Sequence, residues 1–256
     1  DLLPLLFNIS IKIPFDQCDN DEDFESYIEA AAAMQSVVKA APEESMPILS
    51  NFVKEYALAE GEENFRLREA ALNCLNFIIQ FCDCSPVLID SLDLIFNGLN
   101  DNSHRVKQTA TYCVHAILNS ILTLGDSCPF LELIPQIGQK IVELSQLVMN
   151  QMIGQNIDTI LAATSASTTA DFIRFPKFPY VGKALSLLLN CAIRETAPDS
   201  LILSQSAFSA LQSSLNTCPE NLLDPLMKAI LEIMRQSIEN QSDFWFINHL
   251  CLLLQP

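Results

Sequence analysis

Along this chain apolar residues return every three or four positions, segment after segment, with short polar breaks between them. Between Pro86 and Leu124 the pattern is clearest. Leu88, Ile89, Leu92, Ile95, Phe96 and Leu99 make one stripe, Asn100-Asp101-Asn102-Ser103 interrupts it, and Val106, Ala110, Val114, Ile117 and Leu118 make a second. Stripes at this spacing occupy one face of an α-helix. Neither helix can bury its stripe alone, so the two are expected to fold back as a hairpin and stack on similar units.

Similar units are expected on both sides. An apolar helix from Asp1 to Ile13, with Pro4 in its first turn, leads into a connector from Pro14 to Asp23. An alanine-rich helix from Phe24 to Ala41 follows, ended by Pro42. The next hairpin, Glu44 to Phe81, breaks at Gly61. Its first helix carries Ile48, Leu49, Phe52, Val53 and Tyr56, and its second Phe65, Leu67, Ala70, Ala71, Leu75, Phe77 and Ile78. Further on, helices are expected over Pro129 to Val148 and Asn150 to Ala166, then a Ser/Thr/Pro-rich connector from Ser165 to Pro179. Helices return over Tyr180 to Arg194, Ser200 to Thr217, Glu220 to Glu239 and Asp243 to Leu254.

The second helices repeat one another. Glu29-Ala30-Ala31 with Val38 matches Glu69-Ala70-Ala71 with Ile78 at a shift of 40. Arg68-Glu69-Ala70-Ala71 with Leu75 and Ile78 matches Lys107-Gln108-Thr109-Ala110 with Val114 and Ile117 at a shift of 39. Two-helix repeats of this length are the signature of HEAT or armadillo arrays. The fold is read as all-α, an α-solenoid of about six HEAT-type helical hairpins in a single array: 1–42, 44–84, 86–124, 129–168, 178–217 and 219–256.

Composition narrows the function. Half of the 256 residues are apolar and only six are glycine, which suits a packed helical protein and supplies few strand turns. With 31 acidic residues against 14 basic ones the formal charge is −17. Such a surface disfavours direct nucleic-acid contact and anionic membranes, and it favours a basic protein partner. The alternative is that acidity only keeps a helical protein soluble. No apolar run reaches bilayer length and no signal peptide is visible, so membrane insertion is not expected. The chain opens in helical pattern without a methionine and is expected to be a piece of something longer. Nine scattered cysteines, with Cys74, Cys113, Cys191 and Cys251 inside apolar helical stretches, read as small hydrophobes of a reducing compartment. Cys82-Asp83-Cys84 lacks a second pair and is not read as a metal site.

Catalysis is not expected, and no cofactor with it. Phosphate-cradling glycine loops, GxSxG and HExxH are absent from the sequence, and His104, His115 and His249 share no spacing. Glu43-Glu44 and Glu62-Glu63 fall before helices, where carboxylates suit the positive end of the dipole. The run from Asp19 to Asp23 is different. Asp19, Asp21, Glu22 and Asp23 repel one another, so they read as an exposed loop between two antiparallel helices. That loop is either a solvated connector or an anionic docking element for lysine- and arginine-rich segments. In an array of short turns, an insertion of this length favours docking.

With these residues in order, the chain resembles the middle of importin β, a karyopherin built of HEAT repeats. Leu2-Leu3-Pro4-Leu5-Leu6, the acidic run and Phe24 look like the family's repeat with the acidic loop. Met46-Pro47-Ile48-Leu49 through Asn64-Phe65-Arg66-Leu67-Arg68-Glu69-Ala70-Ala71 is similar to the next repeat, and Asp101 through Tyr112 to the one after it. Ser206-Ala207-Phe208-Ser209-Ala210-Leu211 and Lys228 through Met234 look like later repeats. The resemblance implies a fragment of a nuclear transport receptor that moves between cytoplasm and nucleus through the pore. It implies binding of basic cargo, or of an importin α-type adaptor arm, on a concave surface of second helices carrying acids and aromatics. It also implies regulation by Ran-GTP and contact with phenylalanine-glycine nucleoporins. By position, Asp19, Asp21, Glu22 and Asp23 match the acidic loop. Tyr112 stands at a concave tryptophan of the family, Asn156 at an inner asparagine, and Thr159 where a further aromatic is usual. The competing reading is another HEAT scaffold, such as a phosphatase scaffold or trafficking adaptor, in which the acidic loop is dispensable and binding runs through the turns within repeats.

Overall fold

A computed structural model describes residues 2–12, 21–82, 85–128, 134–153, 158–175, 178–193, 201–239 and 244–253. Among the described residues the regular structure is helical throughout. In chain order the α-helices are α1 (Leu2–Ile11), α2 (Asp21–Ala40), α3 (Pro42–Tyr56), α4 (Phe65–Phe81), α5 (Ser85–Leu99), α6 (His104–Leu124), α7 (Ile134–Asn150), α8 (Thr159–Arg174), α9 (Val181–Ala192), α10 (Leu201–Leu215), α11 (Glu220–Glu239) and α12 (Phe244–Leu253). They group into two compact units, 1–144 and 145–256.

In the first unit α1 pairs with α2, α3 with α4 and α5 with α6, and α4 touches all five others. Its sequence explains the central place: past Glu69 it is nearly all apolar, and twelve of its 17 residues are buried. Small residues let neighbours come close. Gly98 of α5 sits so near α4 and α6 that a Cβ there would lie 2.8 Å from Leu72 Cδ1 and 2.9 Å from Ala110 Cβ. At the other side Phe7 of α1 stacks on Phe52 of α3 with ring centroids 4.1 Å apart. The stripes of α5 and α6 lie inward as expected, with Leu92, Ile95, Leu99, Val106, Ala110, Val114, Ile117 and Leu118 buried. Ile89 departs from this and is exposed.

Three expectations about boundaries change. Helix α2 begins at Asp21 rather than Phe24, because acidic residues suit a first turn as well as a loop. Pro42 opens α3 instead of merely closing α2, since a proline costs nothing at the first helical position. The third change is the largest. The Ser/Thr-rich stretch from Ser165 is not a connector: α8 continues to Arg174, and Ser165, Thr168 and Thr169 are fully buried. The hydroxyls make this possible. Thr168 Oγ1 donates to the Thr164 carbonyl at 3.0 Å, Thr169 Oγ1 to the Ser165 carbonyl at 2.7 Å, and Ser165 Oγ to Gln151 Oε1 at 3.1 Å. Satisfied in this way, they pack as small residues rather than seeking water.

In the second unit α10 packs on α8, α9 and α12. Asp158 caps α8 by accepting from the Leu161 amide at 2.9 Å. Ser204 Oγ donates to the Ala192 carbonyl at 2.7 Å and ties α10 to the end of α9. Helix α11 is the shallowest, with only Leu226, Ile230 and Ser237 of its 20 residues buried.

Candidate partner-binding surface

The three described members of the acidic run do not form a loop. Asp21, Glu22 and Asp23 are the first residues of α2, while Asp19 lies outside the described residues. So does Asn156. Thr159 is the first residue of α8, beside the capping Asp158. Tyr112 is on α6 and 39% exposed, and its hydroxyl accepts from Gln108 Nε2 at 3.0 Å. Of the predicted contact residues that are described, those at the start of α2 and Tyr112 of α6 therefore belong to separate hairpins, with the pair α3–α4 between them in sequence.

Basic residues of the second helices are used inside the fold. Arg68 Nε and Nη2 donate to the Asp101 carboxylate at 2.7 and 3.2 Å, and Nη1 donates to the carbonyls of Ala59 at 2.9 Å and Gly61 at 2.7 Å. One guanidinium thus ties the turn before α4 to the turn before α6. Gly61 adopts φ +95, a left-handed conformation that glycine reaches without strain. Glu69 receives Arg105 Nε at 3.1 Å and Arg66 Nη1 at 3.4 Å. The repeated basic residue ahead of the alanines was visible in sequence; that it grips the neighbouring repeat was not, because its acceptor lies 33 residues away.

The resemblance implies second helices that carry acids. Helix α2 does, with Glu29 exposed, whereas past Glu69 helix α4 has no Asp, Glu, Lys or Arg, and past Lys107 neither has α6. The exposed acids of this unit include Glu43, Glu44 and Glu55 of α3, Asp90 and Asp93 of α5, and Glu60, Glu62 and Glu63 in the turn before α4. In α4 and α6 the reason is packing: the two helices press on one another, and their ion pairs lie in the first turns. Charge is also uneven along the chain. Residues 1–144 hold 22 of the 31 acidic and 8 of the 14 basic residues, a net −14 that leaves −3 for the rest.

Two polar cavities adjoin these helices. One of about 360 Å³ lies between the turns that Arg68 joins, lined by Ala59, Gly61, Glu62, Asn100, Asp101 and Asn102. The other, about 480 Å³, runs between α8 and α10 beside Ser167, Asp171, Arg174, Ser206, Ser209 and Ser213. The first is lined by no hydroxyl or thiol side chain; in the second Asp171 sits among serines and pairs with Arg174 at 3.7 Å. Burial pushes the Cys74 thiol up to about 12 and raises Cys113 as well, so neither supplies a thiolate at neutral pH. Among the described residues no group of His, Cys, Asp and Glu could hold a metal ion, and no helix is long and apolar enough to cross a membrane.

No family model and no curated protein matches the sequence. Solved structures do match. Kap95p, in a structure describing how its binding induces the switch loops of RanGDP to adopt the GTP-bound conformation, superposes with a TM-score of 0.74 at 21% identity. The match covers 99% of this chain and 29% of that one. Kap95 in its complex with Nup1 gives 0.71 at 20% identity, over 98% of this chain and 29% of Kap95. A Kap121p mutant gives 0.65 at 17%, over 91% and 23%. A designed armadillo repeat protein bound to the peptide (KR)4 gives 0.57 at 14%, over 98% of both chains. The fold is therefore that of the HEAT and armadillo solenoids, and it is shared with karyopherins. The chain spans about 29% of the length of Kap95.

Proposed function

We propose that this chain is a segment of a nuclear transport receptor of the importin β type. It binds basic protein segments, either a cargo's nuclear localisation signal or an importin α-type adaptor arm. The whole receptor answers to Ran-GTP, touches phenylalanine-glycine nucleoporins and shuttles between cytoplasm and nucleus. One observation carries the reading: a match to Kap95 over 99% of the chain at a TM-score of 0.74. The −14 charge of residues 1–144 supports it, because a strong acidic field speeds encounter with a basic ligand. So does the (KR)4 peptide held by a designed solenoid of like fold. On this reading Asp19, Asp21, Glu22 and Asp23 contact basic residues, and Tyr112 and Asn156 contribute from the second helices.

The test is a pull-down of a basic adaptor arm and of Ran in its GTP and GDP forms, with wild type and a variant carrying serine at Asp19, Asp21, Glu22 and Asp23. Salt-sensitive binding of the arm, weakened in the variant, is expected. Failure to bind either ligand sinks the proposal. A second reading, another HEAT scaffold, is favoured by Glu60, Glu62 and Glu63 crowding the turn within a repeat. It predicts that serine at those three positions abolishes partner binding while the variant at 19–23 binds normally.

A further inference from the structure

Two first helices of the first unit, α5 and α7, meet around one cation. The Lys140 ammonium of α7 lies 4.0 Å from the centre of the Phe96 ring on α5. Its Nζ is 3.0 Å from Asp93 Oδ1, also on α5, and 3.4 Å from Glu143 Oε2 one turn along α7. An aromatic face with carboxylates at its rim is the arrangement that recognises a cationic side chain. The cation seated there belongs to the chain itself.

The setting is open to exchange. The Asp93 side chain is 76% exposed and that of Lys140 24%, and Phe96 is half-buried, so ring and carboxylate face solvent once the lysine swings out. Ion pairs this exposed hold a side chain only weakly, and the lysine stem turns about four flexible carbons. Ile89 and Asp90, both exposed, continue the same side of α5 one turn earlier. A lysine from a partner would only reproduce the contacts that Lys140 already makes. An arginine gains on it: the planar guanidinium stacks flat on a ring and forks two N–H donors onto one carboxylate, which an ammonium cannot do.

We propose that Phe96, Asp93 and Glu143 form a docking site for an arginine side chain of a partner polypeptide, and that Lys140 fills this site in the free protein as a built-in competitor. The site lies on first helices and uses none of residues 19–23, Tyr112 or Asn156. The inference rests on the basic-partner reading for the sign of the ligand. It adds a preference for arginine over lysine, which the acidic field of the unit does not supply, since both side chains carry the same charge.

The test uses the full chain at low salt and two short labelled peptides of equal charge, one alternating glycine with arginine and the other glycine with lysine. In wild type the ε-methylene protons of Lys140, shielded by the Phe96 ring, should resonate upfield of those of other lysines. Saturating arginine peptide is expected to return them to the ordinary lysine position, and lysine peptide to move them less. Lys140→Met keeps an unbranched side chain and removes the competitor. It should tighten the arginine peptide about fivefold, the worth of one exposed ion pair or cation–π contact. Lys54→Met, the same charge lost from an exposed position of α3, should change it less than twofold. Phe96→Leu should abolish the preference for arginine at unchanged helical content by circular dichroism. Lys140 signals that stay put at saturation or move equally with both peptides overturn the inference and leave the basic-partner reading standing. So do equal effects of Lys140→Met and Lys54→Met, or an arginine preference that survives Phe96→Leu. Binding of neither peptide overturns both.

Discussion

Arg68 closes two turns with one side chain. It and Asp101 are 13% and 11% exposed and line the polar cavity between the turns, so water reaches only part of whichever partner is left. Arg68→Ala is expected to cost about 2–3 kcal/mol, below the range for a fully buried pair because the cavity admits water. Urea unfolding measures it, and a loss below about 1 kcal/mol would reduce the clamp to an ordinary surface pair. Glu232 is the opposite kind of acid, fully exposed on α11. The Arg235 guanidinium, with help from Gln236, holds its carboxyl down to about 2. A carboxyl held below its unfolded value stabilises the fold above that value and loses its contribution as pH falls toward 2. An NMR titration should find Glu232 well below the other glutamates, and Arg235→Gln should return it to the ordinary range. If Glu232 titrates normally in wild type, the crossing bonds to Arg235 and Gln236 do not persist in solution.

At the level of helices, Gly98 sets how closely α5 approaches α4 and α6. Alanine there would gain about 1 kcal/mol of helix propensity, but its Cβ would meet the Ala110 Cβ at 2.9 Å, an atom its own backbone holds in place. Overpacking of this kind costs about 1–3 kcal/mol, so Gly98→Ala should destabilise despite the better helix former. A raised melting temperature would show that α5 has room to retreat. Most helices were legible in the sequence because each buries one stripe and the turns are short. The exception is instructive: Ser165, Thr168 and Thr169 look like connector residues, and only their hydrogen bonds to backbone carbonyls and to Gln151 make them fit for a helix core. The acids of α2 misled in the same way, since Asp21 suits a loop and a helix start alike. Of the candidate surface, the place of Tyr112 on a second helix was legible; its 39% exposure is read from the structure. The scarcity of charge along α4 and α6 is legible only once the helices are placed, because the total of −17 says nothing about which side of a hairpin carries the charge.

Taken as a whole, the molecule is polarised along its sequence, with −14 in residues 1–144 and −3 in residues 145–256. Mass action then fixes where a basic ligand acts. A ligand that binds only the folded form stabilises the part it contacts by RT ln(1 + [L]/Kd), about 2.7 kcal/mol at a hundredfold excess over Kd. Amide exchange in each unit starts from its own baseline. Helix α4, with twelve of 17 residues buried, should exchange slowest in the first, and α11, with three of 20 buried, fastest in the second. Adding a lysine-rich peptide at low salt is expected to slow exchange in α2, α4 and α6 by tenfold or more, since about 1.4 kcal/mol suffices for that factor. Helices α8 to α12 should change little. Raising the salt should erase most of the slowing, because long-range attraction between exposed charges is screened beyond about 8 Å at physiological ionic strength. Hydrogen exchange read by mass spectrometry resolves these helices separately. Equal or greater slowing in residues 145–256 would mean that local contacts, and not the acidic field of the first unit, decide where a basic segment binds.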